Sequence, residues 1–406
     1  MKKAILLALT VFVSSVFGLY AGGQQESTVE EMPEESGKTL TFWVYDSGRI
    51  EVLTELGKKF EEEYGVTIDV ALVDLSQIRN QMLLASGGAE AADLAIIPHD
   101  NLGAMVENDA VLEFNLGAKE AKYLKPAIDG FTYNGKLYGL PLAVENIGFF
   151  YNADMVDKAP KSWDEVYTEG KALVASGKAE YIMGYPDATY NVFPVYSSYG
   201  GYIFGKNASG VTTSDDIGLN KEGFVKGLEW MTKLVKEGLV PETIDWDGAH
   251  VLFESGKAPF ILTGPWALNR FQTEGVNYKI AEFPSKGAPF LGVQGVIISS
   301  ASENALLAQT FATEYLATEE SMQAIFDAEK RPSAWKSIFE NSGNPDVSGF
   351  NKAGSNANPM PSIPEMGFVW DAWVNAAALA FSGELTPEEA LDNAVNQIKT
   401  QIAESK

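Results

Sequence analysis

The chain has 406 residues, enough for two or three domains, and its 46% hydrophobic and 21% charged content is that of an ordinary globular protein. Its formal net charge of −25 argues against nucleic acid and anionic membrane surfaces as partners, because both repel an acidic protein. The absence of cysteine excludes disulfides, thiol nucleophiles and zinc–thiolate sites, and the two histidines, His99 and His250, argue against a histidine-rich metal site.

The amino-terminal segment has the pattern of a secretory signal peptide. Two lysines precede an apolar run over residues 4–13, which is too short for an ordinary transmembrane span. We predict a signal peptide over residues 1–21, followed by an acidic tether over 22–38 with too little apolar surface to order itself. The cleavage region also resembles a lipoprotein box in which Gly22 replaces the cysteine, so the chain as written is not acylated there. The expected location is periplasmic or extracellular.

The next part of the chain alternates strand and helix patterns. Strands are predicted over 39–45, 66–73 and 93–97, and helices over 50–64 and 75–85. The second helix is expected to end at Gly87-Gly88, because glycine favours the conformation that terminates helices. Strand and helix alternating at this spacing predict a parallel sheet wrapped by helices.

Residues 131–152 form the centre of the pattern. Asn134-Gly135 between aromatic flanks predicts a tight hairpin, since a primed turn needs positive φ. Apolar strands are predicted over 137–144, where Pro141 indicates an edge or a bend, and over 147–151. Glu145 lies between these strands. It is either at a solvent-facing kink or buried beside a protein partner or a polar ligand, because an unpaired buried charge is strongly destabilising.

The remainder of the chain continues the α/β pattern without an internal repeat. Strands are predicted over 258–263 and 290–299, and helices over 163–176, 221–237, 248–256, 305–316, 319–328 and 366–381. Thr386-Pro387-Glu388-Glu389 is typical of the start of a last helix. Residues 341–364 are rich in Gly, Pro and Asn, and predict a long connection.

Motifs for nucleotide binding, serine hydrolysis and zinc proteolysis are absent from the sequence, and no cofactor is expected. Residues 243–254 match a calcium-loop spacing through Asp245, Asp247 and Glu254, but Thr243 stands where a principal ligand is required. The alternative is that Asp247 caps the following helix. No metal site is therefore predicted.

Aromatic residues at predicted element ends, beside polar residues, are the informative feature. They are Trp43, Tyr45, Tyr190, Trp266, Trp370 and Trp373. Any one of them is either packed in the core or presented to a ligand. Sugars have an apolar C–H face and a rim of hydroxyls, so they need flat aromatic surfaces together with carboxylates or amides. The candidates for the polar contacts are Asp46, Gln77, Asp100, Asn101, Glu145, Asp187 and Asp371.

Several stretches resemble the maltose- and maltodextrin-binding proteins of bacterial ABC sugar importers. YNGKLYGLPLAVE followed by YNADM resembles their centre, and the resemblance covers most of residues 39–403. It implies a sugar-hydroxyl contact for Asp100 in the HD segment and a sugar contact at the hinge for Glu145. It implies stacking roles for Tyr190 in YNVFP, for Trp266 in TGPW and for Trp370 in MPSIPEMGFVW.

The chain also departs from the familiar pattern of that family. The family has a Trp at Ile97, an Arg at Asn101, an Asp-Lys pair at Ser47-Gly48, a Tyr at Asp371 and an Arg at Val374. These replacements argue against an identical selectivity for maltodextrins but leave the class of ligand unchanged.

The resemblance implies a two-lobed α/β periplasmic-binding-protein fold of type II, in which each lobe is a sheet flanked by helices and crossing segments form the hinge. The expected lobes are 39–143 with 296–343, and 144–295 with 344–406, with the GVQG segment at 292–295 as the return crossing. The implied function is a monomeric, non-enzymatic receptor that captures maltose, maltotriose or a related glucoside and docks on an ABC permease.

Two alternatives remain open at the level of sequence. A secreted glycoside hydrolase would need an acid and a base about 5–10 Å apart across the scissile bond, and sequence does not give that distance. A receptor for a non-sugar solute, such as a peptide or a polyamine, would share the fold. The many aromatic residues at element ends favour sugar over these solutes.

Overall fold

The computed structural model describes residues 37–84, 90–208 and 210–405. The predicted signal peptide, nearly all of the acidic tether and the predicted helix stop at Gly87-Gly88 lie outside these residues. Within the described part of the chain, no helix is long and apolar enough to cross a membrane.

Strands and helices alternate along the described residues, as the sequence predicts. The strands are β1 (Lys38–Val44), β2 (Val66–Leu72), β3 (Leu94–Pro98), β4 (Thr132–Tyr133), β5 (Lys136–Leu137), β6 (Leu140–Glu145), β7 (Gly148–Asn152), β8 (Met183–Gly184), β9 (Phe204–Lys206), β10 (Thr212–Ile217), β11 (Phe260–Thr263), β12 (Tyr278–Ala281), β13 (Phe290–Ile298) and β14 (Asn358–Pro359). The helices are α1 (Ile50–Tyr64), α2 (Leu75–Leu83), α3 (Leu102–Glu107), α4 (Lys125–Gly130), α5 (Trp163–Ala175), α6 (Phe193–Ser198), α7 (Glu222–Lys236), α8 (Trp246–Glu254), α9 (Leu268–Thr273), α10 (Ala305–Thr310), α11 (Glu319–Glu329), α12 (Lys336–Asn341), α13 (Pro345–Ala353), α14 (Val369–Ser382) and α15 (Pro387–Glu404).

Two main sheets organise the molecule. The first has the order β14-β13-β3-β1-β2, with β6 also paired to β13. In it β1 runs parallel to β2 and β3, while β13 is antiparallel to β3 and β6. The second sheet has the order β12-β7-β11-β8, and β7 is antiparallel to both of its neighbours. Parallel strands joined through helices explain why the first sheet is covered by helices.

Each sheet has its own apolar core. The first core packs the first sheet against helices such as α1 and includes Phe42, Phe60 and Phe311. The second core contains Phe149 from β7, whereas Phe150, the next residue, belongs to a small third core on the opposite face of the second sheet. Because successive strand residues point to opposite faces, the second sheet is covered on both sides.

The chain passes between the first and second cores at two adjacent strands. Val144 belongs to the first core and Ile147 to the second, so one crossing lies between β6 and β7. On β13, Phe290 packs in the second core, whereas Val293 packs in the first core. Gly292 pairs with Glu145, so the two crossings lie side by side.

The centre of the chain has the local structure that its sequence predicts. Asn134 and Gly135 adopt φ of 49° and 79° between the antiparallel strands β4 and β5, which confirms the hairpin. Pro141 lies in β6, which pairs with β13, and a register shift occurs opposite it between Gln294 and Gly295. The predicted bend at the proline is therefore confirmed as an irregularity of the ladder.

The predicted long connection over 341–364 contains a helix, α13, that was not predicted from the sequence. Asn344 caps the helix with its side chain, and Pro345 occupies the first turn, where a missing N–H has no cost. Val347 packs in the first core and Ala353 in the second, so α13 is a third connection between the two cores. Because the segment is rich in glycine and asparagine, its sequence does not indicate a helix.

The calcium-like segment has another structural role. Asp245, rather than the expected Asp247, caps α8 by accepting a hydrogen bond from the Gly248 N–H at 2.6 Å. Asp247 pairs with Arg270 at 3.0 Å, and Glu254 pairs with the same guanidinium. These carboxylates are thus engaged by the helix terminus and by an arginine.

Candidate functional site

A cavity of about 460 Å³ opens beside the two strand crossings. Residues from both cores line it, together with residues of the crossings themselves. The lining consists of Tyr45, Asp46, Leu75, Arg79, Pro98, Asp100, Glu145, Tyr190, Trp246, Trp266, Gly292, Val293, Gln294, Arg331, Met360 and Trp370. Aromatic side chains thus share the cavity with a set of charged and amide groups.

The aromatic part of the lining is held in place by ring contacts. The rings of Tyr190 and Trp266 lie 6.3 Å apart, and Phe290, behind them, contacts both Tyr190 and Trp370. Trp266 follows β11 in a tight turn that needs Gly264, since a Cβ there would come within 2.3 Å of the indole. Such rings present the flat apolar surfaces on which a sugar ring stacks.

Arg331 is the centre of the polar part of the cavity. Its guanidinium Nη1 donates to Glu145 Oε2 at 2.6 Å, and its Nη2 donates to Asp46. It also lies over the Trp266 ring, 5.6 Å from the centroid. The side chain of Arg331 is only 4% exposed, so this ion pair is screened little by solvent. Arg331 therefore contacts the crossing strand β6, the loop after β1 and the aromatic part of the cavity lining.

Hydrogen bonds and one longer ion pair link Glu145 to further side chains and return to Arg331. Gln294 Nε2 donates to Glu145 Oε1 at 2.6 Å, while Gln294 Oε1 accepts from Arg49 Nη2 at 2.7 Å. Arg49 Nε donates to Glu329, whose other oxygen lies 3.8 Å from Arg331 Nε. We refer to these five residues as the ionic ring. Because both ends of the Gln294 amide are used, its orientation is fixed by its neighbours.

Glu145 is buried, with 5% of its surface exposed, so the interpretation of a solvent-facing kink is wrong. The carboxylate instead has two protein partners, Arg331 and Gln294. Sequence inspection did not find the arginine, because it lies 186 residues away along the chain. A buried charge with such partners does not need a ligand to be compensated.

The ionic ring perturbs the groups around it. Burial alone would raise the pKa of Asp46, but the charge of Arg331 and the Gly48 N–H outweigh it and hold the pKa below its usual range. Burial opposes the charge of Arg331, yet Glu145 and Glu329 raise the pKa of the guanidinium well above its usual value. Both groups remain charged at neutral pH.

The charge of Asp100 is compensated by its neighbours less completely than that of Asp46. Burial raises the pKa of its carboxyl to about 6, and the Arg79 guanidinium offsets this only in part. Arg79 Nη2 lies 3.7 Å from Asp100 Oδ2, which is beyond hydrogen-bond distance. Asn101 Nδ2 donates to the other carboxylate oxygen at 3.0 Å. Asp100 thus retains acceptor capacity toward the cavity.

His99, the neighbour of Asp100, has a structural role at the base of the cavity. The Val293 N–H donates to His99 Nδ1 at 3.1 Å, so the ring proton lies on Nε2 and is donated to the Met360 carbonyl at 3.1 Å. Burial lowers the pKa of His99 to about 4. The neutral ring therefore ties β13 to the segment after α13.

A smaller cavity of about 270 Å³ adjoins the first and shares Arg79, Asp100 and Trp370 with it. We call it the second compartment. Its other lining residues are Ser76, Asn80, Leu83, Asn101, Ala104, Pro364, Gly367 and Asp371. Helices α2 and α3 form one side of it and the start of α14 the other. Its lining combines hydroxyl, amide and carboxylate groups with apolar side chains.

The structure brings together many of the site residues that the sequence indicated. Seven line the first cavity, namely Tyr45, Asp46, Asp100, Glu145, Tyr190, Trp266 and Trp370. Asn101 and Asp371 line the second compartment. Four predicted residues line neither cavity: Trp43, Gln77, Asp187 and Trp373.

These four have other surroundings. Trp43 packs against the first core, and the side chain of Gln77 is exposed on α2. Asp187 accepts hydrogen bonds from the N–H groups of the turn that follows it. Trp373 is fully buried in the second core, among the rings of four aromatic neighbours, because the inward face of α14 carries it there. Core packing, the alternative weighed for any single tryptophan, describes Trp373.

Sequence reasoning missed Arg49, Arg79, Gln294, Arg331 and Trp246, all of which belong to the cavity lining or the ionic ring. One signal was available. The sequence has only four arginines among its 30 Lys and Arg residues, and three of them lie here. Arginine is preferred over lysine where planar, multidentate recognition of carboxylates is needed, so rare arginines merited attention.

The chain is similar to proteins of known class over nearly its whole length. The family described as bacterial extracellular solute-binding protein matches residues 55–348. The galactooligosaccharide-binding protein of Bacillus subtilis is 30% identical over 416 residues, which cover 99% of this chain and 97% of that protein. The maltodextrin-binding protein of Bacillus subtilis is 28% identical over 427 residues, covering 100% and 98%. A maltooligosaccharide ABC transporter solute-binding lipoprotein of Streptococcus pneumoniae is 28% identical over 425 residues, covering 99% and 97%.

Proposed function

The chain belongs to the bacterial extracellular solute-binding protein family, whose fold is a two-lobed α/β fold of type II, and on that premise we propose that it is a receptor for an oligosaccharide. The ligand would be a maltose- or maltotriose-like glucoside or a galacto-oligosaccharide, the two kinds of sugar in the names of its relatives. The receptor would deliver the sugar to an ABC transporter, as the name of the pneumococcal relative says of that protein.

The observation that carries this proposal is the arrangement of the first cavity. Three tryptophans and Tyr190 line the same cavity as three carboxylates and the amide of Gln294. A sugar presents an apolar face to the rings and hydroxyls to the polar groups. Under this proposal Trp266 and Trp370 stack on the sugar, and Asp100 and Glu145 accept hydrogen bonds from its hydroxyls.

The proposed lobes are residues 39–143 with 296–343, and 144–295 with 344–406. The division of the apolar residues into two main cores, with crossings near Glu145 and Gly292, supports this arrangement to within a few residues, since Val144, Val293 and Val347 pack in the first core. A ligand that contacts both lobes binds the closed state better and shifts the population toward it. The protein would work as a monomer outside the cytoplasm, exported by its amino-terminal segment and not acylated, since Gly22 stands at the position of a lipid-bearing cysteine.

The rival interpretation as a glycoside hydrolase has less support at this site. Glu145 and Asp46 both accept hydrogen bonds from the one guanidinium of Arg331, so these two carboxylates are engaged in an ion pair rather than held apart as an acid and a base. The relatives named above are binding proteins. We therefore propose that bound sugar is released unchanged.

A thermal-shift panel followed by calorimetry tests the proposal. Maltose, maltotriose and β-1,4-linked galactobiose and galactotriose are compared with spermidine and a tripeptide as non-sugar controls. Binding to the native state raises the melting temperature by mass action, so at least one sugar series should do so while the controls do not. Chromatography after long incubation then checks for products. A shift with spermidine or the tripeptide alone, or the appearance of shorter sugars, would contradict the proposal.

A further inference from the structure

Arg79 lies at the junction of the first cavity and the second compartment. It projects from α2 and lines both spaces, as do Asp100 and Trp370. About a third of its side chain is exposed, so a ligand in the cleft can reach it. Helix α2 contributes Ile78 and Met82 to the first core, while α14, which carries Trp370, packs in the second. The junction is therefore formed by elements of both cores.

The hydrogen-bonding capacity of Arg79 is largely unused. Its closest carboxylate, Asp100, is 3.7 Å away, and its Nε is buried without a hydrogen-bond partner among the described residues. Arg331, by contrast, bonds to Glu145 and Asp46, and Arg49 bonds to Glu329 and Gln294. Arg49 Nη1 and Arg331 Nε also lack a hydrogen-bond partner in the described part of the chain, but those two side chains are 1% and 4% exposed, whereas that of Arg79 is 32% exposed. Of the three arginines near the cavity, Arg79 is thus the one whose unused donors a ligand can reach.

We propose that Arg79 is a specificity-determining contact for a second sugar unit, and that the ligand extends from the first cavity past Trp370 into the second compartment. This inference rests on the proposed function. A hydroxyl both donates and accepts, so one placed between the two charged groups can accept from Arg79 while donating to Asp100. The gap of 3.7 Å between them is too long for a direct hydrogen bond, and such distances tighten when a ligand arrives.

The chemistry of the junction selects a neutral polyol. Asp100 compensates the charge of Arg79, so an anionic ligand group would meet a carboxylate as well as the guanidinium. The indole of Trp370 offers an apolar surface beside this pair, and Ser76, Asn80 and Asn101 add hydroxyl and amide groups deeper in the compartment. This combination matches the two surfaces of a sugar unit.

Calorimetry of Arg79→Met with sugars of increasing length tests the inference. Methionine keeps an unbranched apolar side chain but removes every donor. Gln81→Met is the matched control, because Gln81 is an exposed residue of the same helix and lines neither cavity. The probes are glucose, maltose and maltotriose, and galactose with β-1,4-galactobiose and galactotriose. Melting temperatures of the unliganded variants check that the fold is intact.

In the series that the wild type binds, Arg79→Met should weaken binding of the longest sugar tenfold to a hundredfold, as for loss of a charged hydrogen bond. Affinity for the monosaccharide should stay unchanged, and Gln81→Met should match the wild type throughout. Arg79→Lys should restore only part of the affinity, since lysine keeps the charge but not the planar fork.

Three outcomes would overturn the inference. Unchanged affinity for the longest sugar in Arg79→Met would show that the guanidinium does not contact the ligand. An equal loss for the monosaccharide and the trisaccharide would show that the contact is not to a second unit. A wild-type protein that bound none of the sugars would contradict the proposed function and this inference with it, which distinguishes that failure from the first two.

Discussion

Arg331 and Glu145 meet where the chain crosses between the two cores, with Nη1 2.6 Å from Oε2, although 186 residues separate them in sequence. Glu145 ends β6, whereas Arg331 follows α11, so the pair fastens the crossing strand to the periphery of the first core. The same guanidinium lies over Trp266 of the second half of the chain. One side chain thus contacts both the strand crossing and the aromatic part of the cavity lining.

Replacing Glu145 by glutamine should destabilise the protein. The amide keeps the shape but removes the charge that faces Arg331, and Arg331 retains Asp46 and Glu329 as partners. The loss should therefore be about 1–3 kcal/mol of unfolding free energy, less than for a buried charge left without any partner. Urea unfolding measures it. Glu113→Gln, which breaks only the exposed pair with Lys136, should change nothing measurable. Equal stability of the Glu145 variant and the wild type would contradict the importance of the pair.

Trp370 and Trp373 offer a matched test of binding against packing. They stack at 6.1 Å on the same helix, but Trp370 lines both cavities and Trp373 is fully buried. Trp370→Ala should weaken sugar binding by about 1–3 kcal/mol with a small change in stability. Trp373→Ala should instead lower the unfolding free energy by about 3–5 kcal/mol. Calorimetric titration and urea unfolding of both variants measure these effects, and the reverse assignment would refute the proposed role of Trp370.

Local features of the fold were predictable from sequence because they depend on neighbouring residues. Helix α1 spans the predicted residues 50–64, and the last helix begins with the capping box of Thr386 and Glu389. The Asn134-Gly135 turn likewise follows from the backbone preferences of two residues. Helix α13 was missed although Val347, Phe350 and Ala353 are buried on it, because turn-forming residues surround them.

The polar half of the candidate site was not predictable in the same way. Arg49 and Glu329 are 280 residues apart, and Gln294 and Glu145 are 149 apart. No periodicity relates such residues. The pairing of β6 with β13 brings Gln294 to Glu145, and the packing of α11 on the turn after β1 brings Glu329 to Arg49. The resemblance did indicate the aromatic half, including Tyr190, because those residues lie in recognisable local motifs. Their contact with sugar stays a prediction.

Asp100 should make stability depend on pH in the acidic range. Burial raises its native pKa to about 6 from an ordinary value of 3.8, so between about pH 4 and 6 the native state holds a proton that the unfolded state has released. The free energy of unfolding should therefore fall as pH rises through this window, by about 2 kcal/mol relative to Asp100→Asn. Urea unfolding across pH 3.5–7 measures the difference. Parallel curves for the variant and the wild type would contradict the raised pKa. Asp129→Asn, an exposed position, serves as the control and should follow the wild type.

Sugar binding should change the shape of the molecule. The crossings at Glu145 and Gly292 and the helix α13 are the connections between the two cores, so rotation about them opens or closes the cavity. A ligand in contact with Trp370 on one side and Asp100 on the other binds the closed arrangement better and shifts the population toward it. Small-angle scattering with a saturating sugar should then give a smaller radius of gyration than without it. For Trp370→Ala at the same sugar concentration, the radius of gyration should decrease less, because a smaller fraction of the variant carries bound sugar. Identical profiles with and without sugar, under conditions where calorimetry proves saturation, would leave binding intact but contradict the clamp, since a ligand that does not discriminate between two arrangements cannot shift them.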